Sequence, residues 1–171
     1  MSRAIQVGTW RVDLTVRDGV TSPVAAAVLA RSVGRALDAA AEAGRAPSPA
    51  SIGLVLSDDA ELADLNREHM GKTGPTDVLS FPVFDPGFPL PPGRRPHLGD
   101  IVVSVERAVE QAVEGRGGQT GDVAWSPADE MRLLVTHGAL HICGWDHAEP
   151  DDEAAMRGLE HRLLGTADTT G

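Results

Sequence analysis

Residues 137–147 read HGALHICGWDH, and this stretch holds three of the six histidines in the chain. His137 and His141 are four positions apart, so on an α-helix they project about 40° apart around the axis and about 6 Å apart along it. Gly144 follows within one turn and can end a helix in the left-handed conformation. The chain can then reverse and bring His147 to the same point. The stretch therefore predicts a helix near the C-terminus whose end gathers three imidazoles, as in zincins.

The three imidazoles predict a zinc site. Three neutral histidines leave a fourth coordination position for water, as in catalytic rather than structural zinc sites. Two other interpretations are a solvated helix face with a turn histidine, and a structural zinc with Cys143 as the fourth ligand. Cys143 lies two residues after His141, about 200° around a helix, so it would point away from the ion. We therefore expect His137, His141 and His147 to bind one Zn²⁺ ion, a metal-bound water to act in catalysis, and Cys143 to be a small buried apolar residue.

The residue after the first histidine argues against a peptidase. The spacing H-x-x-x-H-x-x-G-x-x-H is that of the zinc ligands in metzincin proteases. Those enzymes place Glu directly after the first histidine as the general base, whereas this chain has Gly138 there. A carboxylate that assists the metal-bound water must come from elsewhere; Asp146 is the nearest candidate, and Asp77 and Asp100 are more distant. Asp146 can also orient the imidazole of His147, or only bond to backbone amides in a turn.

Length and composition predict a single soluble globular domain. The chain has 171 residues, of which 42% are hydrophobic and 23% charged, and its formal net charge is -10. This acidity argues against general binding to a phosphate backbone, and we expect no DNA partner. A single cysteine excludes an intramolecular disulfide, and no apolar run approaches the roughly 20 residues of a membrane helix. The N-terminal segment 1–10 alternates and has no apolar signal core, so a cytoplasmic protein without membrane contact is expected.

Hydrophobic periodicity predicts an α/β or α+β fold, a small mixed sheet of about four strands with helices packed on it. The predicted strands are 5–16, 51–57, 78–83 and 98–104. The predicted helices are 23–44, 59–69, 105–114, 127–143 and 152–164. Ser22 is predicted to cap the first helix, and Pro82 marks the third strand as an edge strand or a strand end. Residues 1–165 would form the single domain and residues 166–171 a frayed tail.

Three motifs together resemble one family. Residues 137–147 are similar to H-G-x-L-H-x-x-G-[Tyr/Phe]-D-H, the signature of the YbeY endoribonucleases, with Trp145 at the aromatic position. Residues 75–82, PTDVLSFP, resemble a second motif of that family, and residues 98–101, LGDI, a third. The motifs occur in the family's order, and the resemblance covers roughly residues 50–165.

The resemblance implies a zinc-dependent, single-strand-specific endoribonuclease that acts in small-subunit rRNA maturation and ribosome quality control. It implies a mixed four-stranded sheet with the metal at the base of a cleft, and it assigns the ligand positions to His137, His141 and His147. The substrate would be single-stranded ribosomal RNA, and the partner the small ribosomal subunit or an associated protein. The alternatives are a zinc metallopeptidase or other zinc hydrolase, and a ribosome-assembly binding factor with a vestigial metal site.

The expected RNA contacts depart from the family pattern at one position. Many members carry an Arg a few residues before the PTDV motif, and Met70 stands there in this chain. A methionine does not hold a phosphate. Arg67 or Lys72 can substitute for the arginine, or both are ordinary surface charges.

The strand 78–83 offers a second set of substrate contacts. If it borders the cleft, its backbone groups and the side chains of Thr76, Asp77 and Ser80 would contact the RNA. The alternative is that Asp77 only caps a turn and Ser80 faces solvent. The Pro-rich loop 84–97 carries two further arginines, Arg94 and Arg95, which either gather single-stranded RNA or only add solubility.

Overall fold

The computed structural model describes residues 1–88, 90–114, 125–145 and 149–169. Its strands are β1 Ser2–Val7, β2 Trp10–Val16, β3 Ala50–Ser57, β4 Val78–Pro82 and β5 His97–Ser104. Its helices are α1 Ala26–Glu42, α2 Asp59–Leu65, α3 Val105–Glu114, α4 Pro127–Ile142 and α5 Pro150–Thr169, and a π-helical turn at Asn66–Met70 follows α2. None of the helices in these segments combines the length and the apolarity that crossing a membrane requires.

One mixed sheet supports the fold, with the strand order β1-β2-β3-β5-β4. The three inner strands run parallel, whereas β1 and β4 pair antiparallel at the two edges. The central strand β3 is almost entirely buried, which explains its continuous apolar sequence. β4 is an edge strand, as Pro82 predicted. The predicted mixed α/β class is confirmed, with five strands rather than about four.

The additional strand comes from an N-terminal hairpin. The alternation over residues 5–16 predicted one strand, but the chain turns at Gly8, whose φ of +57° is left-handed, and forms β1 and β2. The buried face was predicted correctly, since Trp10, Val12 and Leu14 are almost fully buried. In a hairpin with a two-residue loop, residues that pair across the two strands lie on the same face of the sheet. The alternation of apolar residues therefore gave little indication that the chain reverses direction at Gly8.

Several helix boundaries differ from the prediction; α2, for example, ends at Leu65 and continues as the π-helical turn, where a helix to residue 69 was predicted. α1 begins after Ala25, which makes no side-chain cap, rather than after Ser22. The Ser22 hydroxyl instead bonds locally to the backbone of Val24, so it stabilises the turn before the helix. α5 runs to Thr169, past Leu164 where its end was predicted, and so extends into the segment expected to be frayed.

The main core lies between one face of the sheet and helices α1 and α4. Its side chains are mostly aliphatic, in keeping with an aromatic content of 4%. On the opposite face, a small cluster of Leu62, Leu79 and Val102 lies beneath α2. α4 contacts α1, α3, α5, β4 and β5, so the histidine-bearing helix is held from several sides.

Candidate metal site

Helix α4 brings His137 and His141 together. It begins with a capping box, in which Ser126 Oγ accepts from the Asp129 amide and the Asp129 carboxylate accepts from the Ser126 amide. Pro127 occupies the first turn, where a missing N–H costs no helical hydrogen bond. The two imidazole centroids lie 6.2 Å apart and the ring planes differ by 28°. The predicted i,i+4 histidine pair is therefore formed on a well-defined helix.

The end of α4 orients His141. Gly144 has a φ of +99°, the left-handed geometry predicted for a residue that ends a helix. After this reversal, the carbonyl oxygen of Trp145 accepts a hydrogen bond from Nδ1 of His141 across 2.9 Å. A carbonyl oxygen only accepts, so His141 carries its proton on Nδ1 and its lone pair on Nε2. Nε2 is thus the nitrogen suited to a metal ion.

Glu160 orients His137 from α5. Its Oε1 lies 2.6 Å from Nδ1 of His137, and the two side chains are 12% and 29% exposed. This hydrogen bond again places the proton on Nδ1 and the lone pair on Nε2. Sequence reasoning missed Glu160, although one signal was available. Glu160 lies four residues after the buried Met156, on the inward stripe of α5 where an apolar residue is expected.

A small cleft of about 110 Å³ opens beside His137. Its lining residues are Asp77, Val78, Leu133, Leu134, His137 and Glu160. Asp77, predicted to bind substrate, is partly buried here, and its backbone oxygen accepts from the Ser104 amide at 2.9 Å. The cleft is therefore lined by two acidic residues, a histidine and three apolar residues.

Gly138 packs against the sheet and leaves no room for a side chain. A Cβ atom at this position would lie 2.7 Å from Cγ2 of Ile101 and 3.2 Å from Oγ of Ser80. The Ser80 hydroxyl is buried and donates to the Gly138 carbonyl oxygen across 3.2 Å. The solvent-facing alternative is wrong, because Ser80 is buried, whereas its contact with substrate stays a prediction. Ser80 connects β4 to α4.

Comparison with known proteins identifies the family. The profile of the family described as Endoribonuclease YbeY matches residues 18–168. The chain belongs to this family. The Endoribonuclease YbeY of Synechococcus sp. (strain CC9605) is 46% identical over 121 residues, which span 71% of this chain and 68% of that protein. The one from Roseiflexus sp. (strain RS-1) is 38% identical over 153 residues, spanning 88% and 91%. The resemblance inferred from the three motifs is confirmed.

A solved structure agrees with this fold. The solution structure of a Thermotoga maritima protein superimposes with a TM-score of 0.52 at 20% identity and covers 90% of this chain and 88% of that one. At this identity the likeness concerns the fold alone, and it supports the mixed α/β architecture.

Two residues predicted for the YbeY site, Asp146 and His147, lie outside the described residues. Within the described segments, no group of three or more His, Cys, Asp or Glu side chains is arranged to hold a metal ion. The third ligand and the assisting carboxylate therefore stay predictions. Cys143 is buried, and burial raises the pKa of its thiol to about 11, in keeping with a small apolar residue.

Asp100, one of the two more distant candidates for the assisting carboxylate, faces away from α4. Its strand neighbour Ile101 contacts Gly138, and successive residues of a strand point to opposite faces. The Asp100 carboxylate lies 3.0 Å from Nε2 of His97, whose Nδ1 lies 2.8 Å from Oγ of Ser51. Asp100 thus belongs to a polar cluster on the opposite side of the sheet.

The basic candidates for RNA contact are not among the residues that line the cleft. Arg67 pairs with Asp64 at 2.9 Å, and these side chains are 67% and 62% exposed. Lys72 is also exposed, and Thr76 is partly buried immediately before Asp77. The RNA-binding roles of Arg67, Lys72 and Thr76 stay predictions.

Proposed function

We propose that this chain is a zinc-dependent endoribonuclease that cleaves single-stranded ribosomal RNA, in maturation of the small subunit and in ribosome quality control. The observation that carries the proposal is the anchored histidine pair. His137 and His141 each donate Nδ1–H to an oxygen, so both carry on Nε2 the lone pair that a metal ion requires. Membership of the endoribonuclease YbeY family supports RNA as the substrate.

The donor set fits zinc. Two Nε2 atoms about 2 Å from one tetrahedral ion place the ring centroids roughly 5 Å apart, so the two rings, whose centroids are 6.2 Å apart, need to approach each other by about 1 Å when the ion binds. We assign a third ligand position to His147 and leave the fourth to substrate or water, as in catalytic sites. A zinc ion there would supply Lewis acidity toward the phosphate group and activate water near neutral pH. Asp146 is our candidate to assist that chemistry.

The charges of the cleft suit a cation better than an RNA strand. Asp77 and Glu160 lie beside His137, and the chain as a whole carries a formal net charge of -10. This field repels phosphate groups, so binding of RNA in the cleft depends on the metal ion. We infer that the small ribosomal subunit, or a protein associated with it, brings the RNA to the cleft. A cytoplasmic location follows from this role.

The edge strand suits an unpaired RNA segment. β4 borders the cleft at Val78 and has one backbone edge without a neighbouring strand in the sheet. Unpaired RNA exposes base edges that pairing occupies in a duplex, and a single strand is narrower than a duplex, so it can enter a narrow cleft. We propose that Thr76 and Asp77 contact the RNA at the start of this strand, with Arg67 and Lys72 as more peripheral contacts.

The peptidase alternative meets a steric obstacle. A glutamate general base after the first histidine would occupy position 138, where even a Cβ would collide with Ile101. The face of α4 that contains Gly138 packs directly on the sheet. A glutamate at this position is therefore excluded by the packing of α4 on the sheet and not only by the choice of glycine. Peptide hydrolysis therefore ranks second to RNA cleavage.

The test combines zinc analysis with cleavage of a single-stranded RNA. His137→Ala and His141→Ala are expected to abolish zinc binding and cleavage while far-UV circular dichroism stays unchanged. His161→Ala is the matched control, because His161 is an exposed histidine on α5 and both properties should persist.

Three outcomes contradict the proposal in different ways. Full cleavage by metal-free His141→Ala protein, or by wild type in excess chelator, would refute the metal dependence. Cleavage of a peptide library without cleavage of RNA would favour the peptidase. Binding to pre-ribosomal particles that is unchanged without zinc, with no cleavage, would favour a binding factor with a vestigial site.

A further inference from the structure

Glu160 is a partly buried carboxylate that belongs to none of the three sequence motifs. Its side chain is 12% exposed, and its Oε1 lies 2.6 Å from Nδ1 of His137. Burying a carboxylate costs free energy unless a hydrogen bond or an opposite charge compensates it. The cleft also contains Asp77, a second negative group that makes this position more costly. The contact with His137 is therefore the feature that explains why a carboxylate is placed here.

The position of Glu160 is set by packing that does not involve His137. Met156, one turn earlier on α5, is 2% exposed in the main core. Further along α5, the Leu164 carbonyl oxygen accepts a hydrogen bond from Nη2 of Arg132 on α4 across 3.0 Å. These two contacts hold α5 on either side of Glu160. The carboxylate is thus preorganised before any ion binds.

We propose that Glu160 is a positioning residue, which fixes the tautomer and the ring orientation of His137 for metal binding. The proposal rests on the metal role proposed above for His137. A carboxylate accepts hydrogen bonds and does not donate them, so it selects Nδ1–H and leaves the lone pair on Nε2. Its negative charge also strengthens the imidazole as a ligand.

The second histidine provides an internal comparison. His141 is oriented by the neutral carbonyl oxygen of Trp145, whereas His137 is oriented by a charged group. The two ligands are therefore held in the same tautomer, and only His137 gains in addition from a negative charge. Removal of that charge should weaken metal binding even when the tautomer is preserved.

Three variants separate positioning from simple helix docking. Glu160→Ala removes both the acceptor and the charge, and Glu160→Gln keeps an amide oxygen as acceptor while removing the charge. Leu163→Ala removes a partly buried core contact of α5 that is not one of the two contacts described as holding Glu160, so it is the matched control for docking. Two measurements are made on each variant: the ¹⁵N chemical shifts of the His137 ring in metal-free protein, and the zinc affinity by competition with a chelator.

Glu160→Ala is expected to lose the preference for the Nδ1–H tautomer and to bind zinc about 10–100-fold more weakly. Glu160→Gln should keep the tautomer and show an intermediate loss of affinity. Leu163→Ala should lower the melting temperature and leave the tautomer and the affinity unchanged. An unchanged tautomer and affinity in Glu160→Ala, with only a lower melting temperature, would overturn the proposal. If His137→Ala binds zinc as wild type does, the metal role of His137 fails, and the positioning role fails with it.

Discussion

Replacement of Gly138 by alanine is the most direct test of the packing that distinguishes this site from a peptidase. The added Cβ would meet Cγ2 of Ile101 at 2.7 Å and Oγ of Ser80 at 3.2 Å. Overpacking of this kind costs about 1–3 kcal/mol. Alanine is favoured over glycine inside a helix by about 1 kcal/mol. The net effect of Gly138→Ala is therefore expected to lie between neutral and about 2 kcal/mol of destabilisation.

A glycine elsewhere in the chain supplies the control. Gly158 is exposed within α5, and nothing lies within 4 Å of a Cβ at that position. Gly158→Ala should therefore stabilise the domain by about 1 kcal/mol, or roughly 2–4 °C in melting temperature. The difference between the two variants isolates the cost of overpacking.

A double-mutant cycle sharpens the test further. Ile101→Ala removes both side-chain carbons that lie within 3.3 Å of the added Cβ. In that background Gly138→Ala should become stabilising, with a coupling energy of about 1–3 kcal/mol between the two sites. Urea denaturation of metal-free protein measures the free energy of unfolding of the wild type, the two single variants and the double variant. Gly138→Ala that stabilises as much as Gly158→Ala, or a coupling energy near zero, would refute the proposed close packing.

Three further predictions concern stability and reactivity. Burial raises the pKa of Glu61, but hydrogen bonds from Ser57 and Arg17 outweigh it and hold the pKa below its ordinary 4.5. The lowered pKa of Glu61 contributes stability that is present above the unfolded-state pKa and is lost as pH falls through the folded-state pKa. Glu61→Gln should therefore reduce the fall of the urea midpoint at acidic pH. An equal fall in the variant and the wild type would contradict this prediction. The pKa of the Cys143 thiol is about 11, so little reactive thiolate is present at mildly alkaline pH. The thiol should react with iodoacetamide on the order of 100-fold more slowly in the folded than in the unfolded protein. Equal rates would argue against its burial. Gly144→Ala should lower the free energy of unfolding by about 1–2 kcal/mol in urea denaturation, because an alanine there must adopt a left-handed φ. The variant should also bind zinc more weakly in a chelator competition. No effect on either quantity would contradict the role of Gly144 in ending α4.

The local part of the site was predictable from the sequence. The i,i+4 histidines, the cap at Ser126 and the glycine that ends α4 all act through neighbours a few residues away. Their geometry follows from the helix itself, so the pair formed by His137 and His141 appears where the spacing placed it. The three family motifs connected the histidine stretch to residues far away in the chain. The match to the family confirms the resemblance on which this connection was based.

The tertiary part was not predictable. Glu160 lies on a different helix, and no spacing rule connects it to His137. Ser80 was expected to contact substrate, and no sequence pattern indicated that its hydroxyl also bonds to the Gly138 carbonyl oxygen between β4 and α4. Gly138 was interpreted as the absence of a base, whereas the structure shows the reason for a glycine, namely the close approach of the sheet. Such contacts depend on the packing of elements, which a single sequence does not specify.

The central place of α4 in the core links metal binding to the stability of the whole domain. The helix touches three other helices and two strands, so its histidines cannot be released by fraying of a surface segment. An ion bound only to the native state stabilises that state through mass action, by about 2.7 kcal/mol at a free concentration of 100 Kd. Zinc held by α4 would therefore stabilise the whole domain, and scarcity of the metal in a cell would reduce the amount of folded protein as well as its activity.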